Sequence, residues 1–492
     1  MGNYAVPEYI RVMNPKGTMV KKINNKFYVY EYKSSKAENG KRITKMGKSI
    51  GMIKEGIGFV PNDNFLRDKE ITSYEFGQYV ITTSITSSVL DLLLGSFNPL
   101  DAYMIYFLAT IHFVNGFQYL KKIDTYFNQS YLSLKYPEVS LSYHKLAQLL
   151  DDLGRRQSSV TEFEQNLICS SSSQIAIDGH VIPSGSHENN LAENGYKYNM
   201  INDSQINLLM AYDINTGKPL LSRMYEGASP DKVSIKEIFE RYFLKEILFI
   251  VDRGFYSNDN INLFSSNGNK YIIPLSPNLV SYKKAVEELS FDKMFVYEKS
   301  KKRSVIEYKE IINEIDGTKI IVFRDSSQNM IEQQDYLKNM GKDSKRYTKE
   351  KFMKVKDFFG IIVLETNCMD KSAEEIFSLY KKRWKIETYF NYFKNNIDYK
   401  GLHVEDYYMA QGLSFIMLIE GLIHSEMAKA ISILKGNTID DILLEGRFLK
   451  IHKSMGKWYL DNISNSRNII MEQLKVDYKK EVDIINKAQH CS

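Results

Sequence analysis

Two short apolar runs, each ending on an aspartate, constrain this chain more than any other feature. "SSQIAIDGHVI" (172–182) and "EILFIVDRGF" (246–255) read as buried strands that deliver Asp178 and Asp252. Between them lie a strand pair around "NTGKP", within "INLLMAYDINTGKPLLSRMYEG" (206–227), and the amphipathic run "DKVSIKEIFERYF" (231–243). Strand, hairpin, crossover helix and strand predict an α/β sheet. An aspartate beside glycine at a strand end is ordinarily a turn residue. The flanks "IAI" and "LFIV" belong in a sheet interior, so both aspartates should emerge at strand ends, where open α/β sheets set their sites.

A third acidic position comes from helix geometry. "SAEEIFSLYKKRWKIETYFNYFKNNID" (372–398) has helical spacing. At about 100° per residue, Tyr380, Arg383, Glu387 and Lys394 share an arc of about 60°. Leu379, Ile386, Phe390 and Phe393 form the adjacent apolar stripe, so the polar arc borders the core. An ordinary i,i+4 ion pair accounts for Arg383 and Glu387. It does not account for Tyr380 and Lys394 in the same arc.

The rest of the chain sets the surroundings. Its 492 residues imply more than one folded unit, and 43% hydrophobic with 25% charged residues fits a globular protein rather than a disordered one. A net charge of +5 names no partner, because binding depends on where charge clusters. Cys169, Cys368 and Cys491 are too few and scattered for a disulfide framework or zinc cluster, which suggests a reducing compartment. "MGNYAVPEYIRVMNPKG" lacks a signal-peptide h-region, so a cytoplasmic location is expected. "AYMIYFLATIHFVNGF" (102–117) is shorter than the roughly 20 apolar residues of a membrane span and reads as a buried core helix.

Six regions follow. Residues 1–65 predict a small basic β module: 1–60 hold 12 Lys and Arg against 4 acidic residues, and "KFYVYEYKSS" and "KRITKMGKSIGMI" alternate around the turn "AENG". A soluble hairpin with lysines on its wet face and a DNA-contacting surface both fit this pattern. Residues 70–160 read as a helical segment in which "SYHKLAQLLDDLG" stops at Gly154. Residues 170–276 and 358–400 form the two parts of the α/β core. Between them, 277–357 read as an inserted β subdomain, with "SSQNMIEQQDYLKNMGKDSKRYTKEKF" a solvated excursion without apolar period. Residues 401–492 read as C-terminal helices. "HENNL", with His187 and Glu188, lacks the second histidine of a zinc-protease helix, and no Walker-type glycine loop occurs.

The acidic positions carry a resemblance. "YKKRWKIETYFNYFK" satisfies Y-(2)-R-(3)-E-(6)-K and resembles the signature of DDE transposases of the insertion-sequence-four superfamily, with Tyr380, Arg383, Glu387 and Lys394 in the four places. "AIDGHVIPSGSHENNLAENGY" is similar to the first-aspartate block of that family, "VDRGFYS" to the second, and "GKPLLSRMYEGASPD" to the hairpin and loop between them; the match runs from about 170 to 400. It implies an RNase H-like catalytic core in which Asp178, Asp252 and Glu387 are catalytic and bind Mg²⁺ or Mn²⁺, two ions in all. Such a carboxylate triad is a hard oxygen site suited to these ions and to in-line phosphodiester displacement. Tyr380, Arg383 and Lys394 are implied to contact DNA. His180, on the strand face of Asp178, is expected beside the site, and Trp384 suits either core packing or stacking on a base. The implied partners are double-stranded DNA, as terminal inverted repeats and target, and further copies of the chain in a dimer or larger synaptic complex. The expected activity is that of a bacterial insertion-sequence transposase, cleaving and transferring strands. A nuclease of the same fold without strand transfer and a DNA-binding derivative without catalysis are the alternatives. Against the last stands the triad itself, whose like charges repel and serve no binder.

Overall fold

The computed structural model describes residues 6–36, 42–62, 73–184, 191–194, 204–227, 231–299, 302–343, 345–383, 406–434, 436–454 and 457–488. The chain forms two compact units, Met1–Tyr74 with Ile451–Asp461, and Glu75–Lys450 with Asn462–Ser492.

In the first unit, β1 (Thr18–Ile23), β2 (Lys26–Lys36), β3 (Arg42–Lys54) and β4 (Gly58–Pro61) form an antiparallel sheet in chain order. The β1–β2 turn is made by Asn24 and Asn25, both at positive φ, a conformation asparagine tolerates better than most residues. Val20, Val29, Ile50 and Ile53 close over Val6 and Ile10 as a small core. Near the C-terminus, where only helices are expected, Lys450–Ser454 and Lys457–Leu460 pair as a hairpin. Its Trp458 is buried and meets Tyr74 edge-on at 5.3 Å, a partner far away in sequence. The strand Ser73–Glu75 (β5) completes that three-stranded sheet.

The second unit begins with helices. In α1 (Pro99–Asn115), Asn98 caps the amide of Asp101 and proline fills the first turn, where its missing N–H costs nothing. As expected, α1 is a buried core helix. Beyond two shorter helices, Leu120–Gln129 and Leu132–Lys135, α2 (Tyr143–Arg155) and α3 (Gln157–Cys169) lead into the sheet. Gly154 does not stop α2, which continues to Arg155. A Cβ there would stand 2.0 Å from the Tyr408 carbonyl oxygen, and one at Gly412 2.1 Å from that of Leu150. Two glycines therefore let α2 touch the long helix Tyr407–Ile431 backbone to backbone. No single described helix is long and apolar enough to cross a membrane.

The main sheet comprises β6 (Gln174–Pro183), β7 (Glu193–Asn194), β8 (Ser204–Asp213), β9 (Pro219–Glu226), β10 (Leu248–Val251), β11 (Lys270–Pro274), β12 (Lys293–Lys299), β13 (Lys302–Asn313), β14 (Thr318–Asp325) and β15 (Ile361–Thr366). Their order is β12-β13-β14-β15-β11-β10-β6-β8-β7, with β9 also paired to β8. β6, β10 and β11 run parallel, and α4 (Asp231–Arg241) lies in the connection between β9 and β10. α5 (Asn258–Ser265) follows β10.

Residues 277–357 differ from their sequence expectation. β12–β14 form no separate subdomain but extend the core sheet, because β14 pairs with β15 from Lys319↔Thr366 to Arg324↔Ile361. The polar excursion is helical, as α6 (Ser326–Lys342) and α7 (Lys349–Val355). It lacks an apolar period because neither helix buries a residue fully; caps and an aromatic cluster hold them instead.

Candidate active site

Register brings the two aspartates together. β10 pairs with β6 from Leu248↔Gln174 to Val251↔Ile177, so the next residue on each strand is Asp252 and Asp178. Asp252 keeps extended backbone, at φ −85° and ψ 163°, so both acids occupy equivalent positions on neighbouring parallel strands, roughly 5 Å apart along the hydrogen-bonding direction. Each is oriented by the amide that follows it. Gly179 N–H donates to Asp178 Oδ1 at 2.9 Å, and Arg253 N–H to Asp252 Oδ1 at 2.8 Å. Both side chains are half-buried, but only Asp252 stands at a strand end, just past β10; Asp178 lies midway along β6, which pairs with β8 on to Pro183 instead of ending at the aspartate.

Strand alternation then decides which helix faces them. Asp178 and Asp252 share a sheet face with Ile250, Ile272, Leu364 and Phe323, as the pairings Ile250↔Ile272, Pro274↔Leu364 and Ile321↔Leu364 show. Phe377 of α8 (Ala373–Lys382) packs on that face, 5.0 Å from Phe323 and 5.7 Å from Phe295. Ser372 and Glu375 form a reciprocal capping box that starts α8, and Lys381 Nζ lies 3.5 Å from Asp325 Oδ2 near its end. Thus fixed, α8 delivers Arg383 at its C-cap, 7% exposed, with Nη1 3.4 Å from Asp178 Oδ2. The Arg383 guanidinium also lies 5.8 Å from the ring centroid of the half-buried Tyr380. A cation here offsets the repulsion of two neighbouring carboxylates.

Four of the predicted positions, Asp178, Asp252, Tyr380 and Arg383, thus stand on one sheet face or on the helix covering it. Glu387, Trp384 and Lys394 lie outside the described residues. Among the described residues, no group of three or more His, Cys, Asp or Glu is placed to hold a metal ion. His180 is half-buried two residues along β6 from Asp178. Lys381, which the helix alone would offer to solvent, is committed to Asp325.

Sequence reasoning passed over Glu365, whose strand "IIVLET" buries it among apolar residues. It pairs with Ile273 and so lies on the opposite sheet face from the aspartates. Tyr271 and Tyr256 donate to its two oxygens at 2.9 and 3.4 Å, at a cavity of about 1050 Å³. Burial pushes the Glu365 carboxyl above its usual range, although both tyrosine hydrogen bonds oppose the shift. A charged residue inside an apolar strand was the available signal, but only the face it occupies separates it from the aspartates.

Residues 170–418 match the family model described as a transposase DDE domain. The match spans just over half of the sequence, and the chain belongs to this family of DDE transposases. No curated protein sequence matches it. Among solved structures it is similar to a piggyBac transposase synaptic complex with hairpin DNA, at 10% identity over 77% of this chain and 82% of that one, with a TM-score of 0.39.

Proposed function

We propose that this chain is the transposase of a bacterial insertion sequence of the insertion-sequence-four superfamily, binding double-stranded terminal inverted repeats, cleaving them and joining the ends to target DNA. The observation that carries this reading is the register of Asp178 and Asp252 on adjacent parallel strands, under a helix that sets Arg383 beside them. The strand order, with a first strand flanked by an antiparallel hairpin on one side and two parallel strands on the other, supports an RNase H-like core.

The donor set fits a hard divalent ion: two aspartates with oriented carboxylates, joined in this reading by Glu387. Asp178, Asp252 and Glu387 would hold Mg²⁺ or Mn²⁺, and such ions, when bound, assist the attacking and leaving oxygens of an in-line phosphodiester displacement. The chain's own residues position and neutralise. The two backbone amides fix the aspartate rotamers before DNA arrives, which lowers the cost of organising the site. A guanidinium carries five N–H donors, so Arg383 can hold Asp178 and a phosphate oxygen together, with the Tyr380 hydroxyl and Lys394 as further phosphate contacts. Two element ends must meet for joining, so the working form is a dimer or larger assembly in the cytoplasm.

The test is incubation of the full chain with labelled terminal-repeat DNA and Mg²⁺. Nicking at the repeat end followed by joining of a pre-nicked end to a second duplex is expected. Nicking without joining identifies a nuclease of the same fold, and binding without nicking identifies a derivative that has lost catalysis.

A further inference from the structure

The most concentrated unpaired charge in the described chain lies away from the candidate site, on α6, α7 and the loop joining them. Residues 338–354 hold seven Lys and Arg against only Asp343 and Glu350. All seven cations are exposed, and among the described residues none has a carboxylate within ion-pairing distance. The two acids are turned to other tasks. Asp343 accepts the amides of Lys345 and Arg346, and Glu350 is held below its usual carboxyl range by its own amide and the Thr348 hydroxyl. The neighbouring strands behave differently: Lys293 and Glu310, Arg303 and Glu298, and Arg324 and Glu307 lie 3.3, 3.3 and 3.6 Å apart. Pairing is the rule on the sheet and stops at the helices.

These cations sit on a built platform. Tyr336 of α6 packs edge-on against Tyr347 at 5.1 Å and lies 5.5 Å from Phe352 of α7, and its hydroxyl donates to the Thr348 carbonyl. The platform is tied to the site. Asp325 caps α6 through the amides of Ser327 and Gln328, while its other oxygen faces Lys381 on α8, the helix that bears Arg383. From that joint the 17 residues of α6 extend about 25 Å, the rise of about seven base pairs of duplex.

We propose that α6 and α7 form a sequence-independent binding surface for the phosphate backbone of duplex DNA lying beyond the cleaved position; this rests on the transposase reading. Exposed, unpaired cations on a rigid support suit phosphates, whose neutralisation releases counterions and makes affinity fall with salt. Such contacts position the duplex without reading its bases.

The test uses the full chain and a combined variant, Lys338→Gln, Lys342→Gln, Lys345→Gln and Lys354→Gln, which leaves both caps and the aromatic cluster intact. Binding is followed by fluorescence anisotropy against salt, on a short duplex covering only the cleaved end and on one extended by about 20 base pairs. The variant is expected to lose about tenfold or more in affinity on the long duplex, with its log K against log salt slope shallower by about 2–4. Binding and cleavage on the short duplex should match the native chain, as should the melting temperature. An unchanged slope on the long duplex overturns the proposal, and so does an equal loss on both duplexes. Lost binding to anionic phospholipid vesicles with duplex binding unaltered assigns the surface to lipid instead. If the native chain binds neither duplex, the transposase reading fails as well, which separates that failure from failure of this surface alone.

Discussion

Two carboxylate–guanidinium pairs are built on the same sheet, and their geometry separates structure from site. Glu164 on α3 and Arg223 on β9 meet at 2.7 Å with neither side chain reaching solvent appreciably. Glu164 also accepts the Tyr242 hydroxyl at 2.6 Å and the Ser222 amide at 3.1 Å, so a buried charge is answered from three directions. Asp178 and Arg383 stand 3.4 Å apart, with the aspartate side chain 20% exposed. The first pair resembles a lock whose parts cannot be removed singly, because either charge left alone would be stranded in low dielectric. In the second the arginine is as buried as Arg223, but the pair is longer and its carboxylate borders solvent, so that side can open toward a ligand.

The comparison is most severely tested at the aspartates. Asp178→Ala or Asp252→Ala should reduce divalent-ion-dependent nicking of terminal-repeat DNA about a thousandfold or more while moving the melting temperature little. Cleavage surviving in either variant removes the pair from the active site. At the buried pair the effect should fall on stability instead. Glu164→Ala should cost about 3–5 kcal/mol in denaturant titration, and a loss below about 1 kcal/mol would show that Arg223 is satisfied without it. Arg383→Gln should show the opposite profile. A stability change of about 1 kcal/mol or less is expected, with nicking reduced about a hundredfold; a large loss of stability with normal turnover would make this pair structural too.

The smallest expected effect concerns Glu365, a half-buried carboxyl held by two tyrosine hydroxyls. The Glu365 carboxyl is raised by burial, so the folded state holds its proton more tightly than the unfolded chain does. Its contribution to stability is full below the unfolded glutamate value and is lost as pH rises through the higher folded value. Glu365→Gln, which keeps the shape without the titration, should flatten the melting-temperature profile above the ordinary glutamate range and raise the melting temperature slightly at neutral pH. A parallel shift at every pH would rule the titration out.

Much of this was legible from local signals. The runs "IAID" and "LFIVD" announced strands, and they appear as β6 and β10, although only β10 ends at its acid; β6 runs on to Pro183 because β8 pairs with it. The hairpin at "NTGKP" appears as β8 and β9, and Ser372 begins α8 where a capping residue was available. Other readings required contacts between distant residues. Gly154 has the composition of a helix stop, yet its role is set by the Tyr408 carbonyl 254 residues away. The segment 326–355 shows no apolar face because its helices pack through a few aromatic rings and caps rather than along a stripe. The hairpin at 450–460 stands among helices because Trp458 finds Tyr74.

By itself the sequence determined which strands carry the two aspartates and where the helix that bears Tyr380 begins, because periodicity and capping act over a few residues. It also carries the match over residues 170–418 that places the chain in the DDE transposase family. Only tertiary structure decided that Asp178 and Asp252 are register neighbours, that α8 covers their face, and that Glu365 lies on the other. Register and facing depend on pairings between residues roughly 75 to 95 positions apart, and a shift of one residue would have reversed every face.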